Sequence, residues 1–416
     1  MDQKKRVDSA RSNCQCRYLY AKRDGQRRRT AFVSMSPQGD APRRLDGSTV
    51  FLDSEGMLRV VVSFPSGSGQ TLSLPELSKV GDLKILAQRS LGQGFLKLVT
   101  LEGHVLTNPQ ESLQDAGVQD GEHLTAVAQQ VQVAATDRAF AAWCCGGNKI
   151  VAWGNVMPHW EVQLQLGNVE QIQATRDGAF AAILADGSAI AWGDPHCGGD
   201  CSEVQDQLCN VQHIQATGQA FAAILADWSV VAWGEPDRGG DCSTVQDQLR
   251  NVRQIQASGD AFAAILDDGS VVSWGDPECG GDCSTVQDQL RNVRQIQATE
   301  SAFAVILADG SVVAWGHPEC GGDCSTVQDQ LRNVRQIQAT GGAFAAILDD
   351  GSVVTWGCPD SGGDSSTVQD QLMNVQQIQA TDKAFAAILA DGSVVAWGDP
   401  DCGGDCSAVE DEFQYL

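Results

Sequence analysis

The sequence holds no run approaching the roughly 18 apolar residues a membrane helix needs, and its start, MDQKKRVDSA, lacks the apolar block of a secretory signal. Both absences point to a soluble, intracellular protein, cytoplasmic with the nucleus as the alternative, and exclude a membrane as partner. Cysteine is too sparse for a disulfide scaffold. There are fifteen in 416 residues, an odd number and about 4%, against the roughly 8–10% that marks such scaffolds, so reduced thiols are expected. Positive charge is short as well: 28 Lys and Arg stand against 53 Asp and Glu, for a net charge of −25. A chain this acidic repels a phosphate backbone, which excludes nucleic acid as a partner of the whole molecule. Enzyme signatures are missing. None of the six His falls in an HExxH pair, and there is no GxxxxGK[ST] phosphate loop, no G-x-S-x-G elbow and no protein-kinase set. No catalytic residue and no cofactor are therefore expected.

What is present divides into three parts. Residues 1–56 carry the clusters Lys4-Lys5-Arg6 and Arg27-Arg28-Arg29 with no sustained apolar period, and read as a disordered basic arm. The first 50 residues hold 12 Lys and Arg against 5 Asp and Glu, so this arm alone can seek an anion or act as an import signal; Asp2 and Asp8 argue against a transit peptide. Residues 57–129 change character. LRVVVSF (58–64) is a β-branched run, PSGSG a turn and QTLSL an alternating strand, which together make a hairpin. Val80, Leu83, Leu86 and Ala87 then recur at helical spacing, an apolar stripe able to cover one face of a sheet. FLKLVTLEGHVL and DAGVQDGEHLTAVA follow, each with a Gly-containing turn.

This segment resembles a ubiquitin-like domain of the β-grasp type. The resemblance rests on the strand, strand, helix, strand order, on LVTLEGHVL, and on SLQDAGVQDGEHLTAV with Leu113, Gly117, Val118, Gly121 and Leu124 in the family's closing pattern. It implies an α+β fold that docks to ubiquitin-system components. Two departures limit it. The last strand runs through Ala128-Gln129-Gln130 into further chain instead of ending in a free diglycine, and the family's apolar recognition patch falls on Thr100, Thr125 and Val127, of which only Val127 is apolar.

Residues 130–416 are an internal repeat. Trp-Gly recurs at Trp153, Trp192, Trp233, Trp274, Trp315, Trp356 and Trp397, in one step of 39 and five of 41, with a Phe 12 or 13 residues before each. In one copy, VRQIQASGDAFAAILDDGSVVSWGDPECGGDCSTVQDQL, the segments RQIQA, AFAAIL, SVVSW and STVQDQL are strand candidates, and Asp268-Gly269 favours a tight two-residue hairpin. Four strands per unit is a propeller blade. Parity supports it: Phe262, Ala264 and Leu266 point one way, Ala263 and Ile265 the other, so both faces are apolar and both must be covered by neighbours. Seven such blades can close into a ring and remove open edges; a β-solenoid is the alternative and would need caps.

The repeats resemble the regulator-of-chromosome-condensation family, an all-β seven-bladed propeller, and especially the propellers of HERC-type ubiquitin ligases. The carrying residues are ADGSVVAWG (308–316 and 390–398) and VRQIQAT-x-x-AFAAIL before it. In this chain the family's histidine position is Phe in every copy, its glycine is kept as Gly218, Gly259 and Gly341 but replaced by Asp137, Glu300 and Asp382, and Trp228 replaces one hairpin glycine. With the ubiquitin-like segment, the resemblance implies a non-catalytic protein-interaction scaffold of the ubiquitin pathway. Two further readings are a guanine-nucleotide exchange factor for a small GTPase, against which the short blades lack an inserted β-wedge, and a fragment of a HECT-type ligase, whose catalytic domain has no room before Leu416.

Two side-chain sets invite chemistry. The loop CGGDC places thiols four apart at Cys197/Cys201, Cys279/Cys283, Cys320/Cys324 and Cys402/Cys406, and decays to Arg238/Cys242 and Ser361/Ser365. A closed zinc site needs four ligands, and these pairs sit on separate blades, so no metal is expected. Arg250, Arg253, Arg291, Arg294, Arg332 and Arg335 occupy equal positions in three adjacent copies. They form either a basic arc for an acidic protein partner or a set of surface cations paired with the Asp of VQDQ.

Overall fold

A computed structural model describes residues 57–144, 150–154 and 169–409. The chain divides into a unit at Met1–Glu55 and a second at Gly56–Leu416, and the expected basic arm lies outside the described residues.

The described chain opens with β1 (Met57–Ser63), β2 (Gly69–Pro75), α1 (Val80–Leu91), β3 (Leu96–Val99) and β4 (Glu122–Ala128). Their sheet order is β2-β1-β4-β3, with β1 and β4 parallel and both outer pairs antiparallel. Alternation in β1 turns Leu58, Val60 and Val62 inward, where α1 meets them with Val80, Leu83 and Ala87. The Asp82 carboxylate accepts the Lys79 N–H at 3.0 Å at the start of the helix, and Gly92, at φ 66°, ends it in the left-handed region.

Seven three-stranded antiparallel sheets follow among the described residues, spanning 131–154, 169–193, 211–234, 252–275, 293–316, 334–357 and 375–398, here units 1 to 7. In unit 4 the strands are Val252–Ala257, Ala261–Leu266 and Val271–Gly275. Val252 and Ile255, three apart, would face opposite ways in a regular strand. A bulge between Val252 and Gln254 turns both into the same core. The second strand behaves as its parity demands: Phe262 and Ala264 pack with residues of unit 3, Ala261, Ala263 and Ile265 with residues of unit 5.

Two expectations are corrected. STVQDQL is not a strand, so among the described residues each unit shows three strands and not four. Residues 243–248 form turns, held by the Gln246 Nε2 donating to the Val230 carbonyl at 3.0 Å and by fully buried Leu249. A side-chain amide and one apolar anchor replace the backbone ladder a fourth strand would need. The Asp268-Gly269 hairpin is also longer than a two-residue turn. Ser270 and Leu266 close a three-residue loop in which the Gly269 N–H donates to the Leu266 carbonyl at 3.0 Å and Gly269 takes φ 78°.

The units wind about one axis. The turns between first and second strands of all seven line a single cavity, and a belt of backbone bonds links them, from the Gly218 N–H to the Gly259 carbonyl at 2.6 Å and from the Gly259 N–H to the Glu300 carbonyl at 2.7 Å. This is the radial arrangement of a β-propeller. Each internal junction is built alike. The Phe and Trp of one unit stack 5.2 to 5.3 Å apart, and in units 3 to 7 the pair lies on the loop glycine of the unit before. In unit 5 the Trp315 Nε1 donates to the Gly280 carbonyl at 2.9 Å, and a Cβ on Gly280 would stand 2.6 Å from the Phe303 ring. Among the described residues, the Phe-Trp pair of unit 1 finds no such seat on unit 7. Phe140 is 44% and Trp153 48% exposed, where the six other Phe are at most 1% exposed.

Candidate interaction surfaces

Buried thiols dominate the CGGDC loops. Burial pushes the Cys197 thiol up to about 11, with Asp194, Asp177 and Glu235 adding to the rise, and burial likewise raises Cys201, Cys242 and Cys324. Cys201, Cys242, Cys283 and Cys324 each donate to the Gln four residues on, as Cys242 Sγ does to the Gln246 Oε1 at 3.1 Å, whereas Cys406 donates to the Val394 carbonyl. These are protonated, hydrogen-bonded groups, poor nucleophiles and poor soft-metal ligands.

One cluster escaped the sequence reading. Oxygens of Asp260 and Asp276 and the Cys279 sulfur lie within 4.8 Å of one another. The Arg238 guanidinium bonds Asp260 and lies 4.0 Å from Asp276, so a protein cation already offsets one of the two negative charges. Arg238 stands where sibling loops carry the first Cys, and that substitution was the available signal; its partner Asp260, on the next unit, carried none.

All six arginines of the three identical copies are exposed. Arg250, Arg291 and Arg332 stand 3.2, 3.7 and 3.2 Å from Asp247, Asp288 and Asp329. Exposed i,i+3 pairs of this kind contribute at most about 0.5 kcal/mol each. Arg253 donates to the Val293 carbonyl at 3.1 Å, and Arg335 to the Val375 carbonyl at 3.2 Å, each reaching the next unit. Arg294 holds the same exposed position.

On the small sheet the register differs by one from the sequence reading. Thr100 is buried, its hydroxyl accepting the His104 N–H at 3.1 Å, because it closes the turn after β3 on the core side. The outward residues of β3 and β4 are Lys97 opposite Val127 and Val99 opposite Thr125. Val127 is exposed as expected, and Phe95 and Leu101, exposed at either end of β3, extend an apolar face that the sequence reading missed. The alternation Leu96, Leu98, Thr100 inward was the signal that would have found it.

The axial cavity gathers Asp137, Arg176, Glu300 and Asp382 with Thr217 and Thr299. Arg176 and Glu300, from units 2 and 5, pair at 2.8 Å, both half exposed.

No protein-family model matches the chain, and no curated protein matches it. Similar solved structures are yeast RCC1 (Prp20) bound to Kap60, at 15% identity, 66% of this chain, 80% of that chain and TM-score 0.38, and human WBSCR16, at 15%, 73%, 89% and 0.37. The chain is also similar to the N-terminal ubiquitin-like domain of the 4931431F19Rik protein, at 24% identity over 22% of this chain and 93% of that one, TM-score 0.17.

Proposed function

We propose that this protein is a non-catalytic interaction scaffold in which the radial repeat is a platform for a protein partner and residues 57–129 are a ubiquitin-like domain that docks to ubiquitin-system machinery. The observation that carries this reading is the outward face of β3 and β4. A β2-β1-β4-β3 sheet with a parallel central pair and a helix across one side supports a ubiquitin-like topology, and Val99, Val127, Phe95 and Leu101 place apolar side chains on its other side beside Lys97 and Thr125. Apolar residues grouped on an exposed sheet are the usual mark of a protein contact. The protonated thiols support a role without covalent chemistry.

Affinity capture from lysate with the full chain and with a Val99→Glu, Val127→Glu variant tests the reading. Ubiquitin-pathway proteins are expected with the first and lost with the second, while circular dichroism is unchanged because both positions face solvent. Recovery of none with the native chain refutes the ubiquitin link. Accelerated nucleotide release from a small GTPase would instead make the repeat an exchange factor.

A further inference from the structure

The five junctions between units 2 and 7 share one construction, and each of its two halves occurs once more without a mate. One half is the stacked Phe and Trp of the following unit. Unit 1 presents it as Phe140 and Trp153, 5.3 Å apart with an interplanar angle of 20°, and about half exposed. The other half is the loop glycine and the Ala-Ala-Ile face of the preceding unit. In units 2 to 6 that glycine is filled: a Cβ on Gly198, Gly239, Gly280, Gly321 or Gly362 would stand 2.6 to 2.8 Å from the next Phe ring. Its counterpart in unit 7, Gly403, has the same left-handed backbone at φ 100° and nothing within 4 Å. The hairpin tips repeat the pattern. Gly187, Gly269, Gly310 and Gly351 crowd the Asn of the next unit at 2.8 to 3.1 Å, and Gly392 of unit 7 meets nothing. Ile388, on the same face, is 39% exposed, where Ile183, Ile224, Ile265, Ile306 and Ile347 are at most 4%.

We infer that unit 7 of one molecule receives unit 1 of a second copy, so that the chain self-associates head to tail through a further junction of the kind it already makes between units 2 and 7. The occupant follows from continuity with an interface the fold itself establishes. A surface shaped to take a Phe-Trp pair over a glycine is matched by the surface this chain carries at its other end. The winding set by the internal junctions leaves both faces open in the same molecule, whereas a second copy docks without altering any of them. Such a contact is heterologous, and it produces either a closed oligomer or an open chain of molecules. The exposed ends of a repeat array are where this association is expected, since only capped ends are inert.

Two variants of the full chain separate the halves. Trp153→Asp removes the donor face of unit 1, and Ile388→Asp spoils the receiving face of unit 7; both sites are half exposed, so the circular dichroism spectrum and thermal unfolding of each variant should match those of the native chain. Sedimentation velocity over a concentration series is expected to show mass growing beyond a dimer for the native chain. Each variant alone should associate about a hundredfold more weakly, as expected for loss of a central aromatic anchor or its seat. The equimolar mixture should regain a dimer and nothing larger, because one intact junction can form between the unaltered unit 7 of the first and the unaltered unit 1 of the second. A native chain that stays monomeric throughout overturns the proposal in favour of closure within one molecule, and a mixture that fails to dimerise overturns the assignment of the two faces.

Discussion

The loop glycine shows most directly how a single residue sets the repeat. Gly280 adopts φ 90° and lies under the Phe303 ring at a separation no Cβ tolerates. Gly280→Ala is expected to destabilise the fold by about 2 to 4 kcal/mol, from left-handed backbone strain and overpacking together. Gly403→Ala carries the strain without the overlap and should cost only about 1 to 2 kcal/mol. Urea midpoints of the two variants measure the difference, and equal shifts would mean that the aromatic seat contributes nothing. The CGG motif was plain in the sequence, and its role was not. The sequence reading weighed the thiols four apart, whereas the glycine between them is the contact with the next unit.

At the scale of the element, the second strand and the helix were legible because their periods are short and their burial is complete. AFAAIL is apolar on both faces and is covered on both, and Val80, Leu83 and Ala87 form the buried stripe of α1. STVQDQL misled because a Gln side chain can hold a segment to a sheet as a strand would, and propensity does not distinguish the two. The hairpins carry a pH dependence. Asp186, Asp227, Asp268, Asp309, Asp350 and Asp391 each accept hydrogen bonds from the Ser two residues on, which lower their carboxyls below the ordinary 3.8. A carboxylate lowered in the folded state contributes stability that is fully present above its unfolded value, about pH 4, and is lost as pH falls through the folded one. The melting temperature should thus stay flat from about pH 5 to 8 and drop below about pH 4. Replacing all six Asp by Asn, which keeps a turn acceptor but cannot ionise, should flatten part of that drop; an unchanged profile would place the acid sensitivity elsewhere.

For the whole molecule, charge opposes assembly. Two chains of net charge −25 repel, and this repulsion is screened as the Debye length shrinks from about 30 Å at 0.01 M salt to about 8 Å at 0.15 M. Head-to-tail association through an apolar junction should therefore strengthen with added salt, read as a rise in weight-average mass at fixed concentration. Weakening with salt would indicate a contact made by opposite charges, such as the exposed arginines of units 4 to 6, instead of the Phe140 and Trp153 face.

The sequence by itself determined the repeat, the unit count of the Trp-marked motif, the two-sided burial of the middle strands of units 2 to 6 and the helix of the small sheet, because these follow from spacings of two, three or four residues that local sterics enforce. Only the tertiary structure decided that the fourth segment is a turn, that Val99 and not Thr100 faces outward, that Arg238 meets Asp260, and that among the described residues the Phe140 and Trp153 pair of unit 1 is left uncovered. The last of these depends on how units far apart in the chain meet, which no residue pattern within a single unit contains.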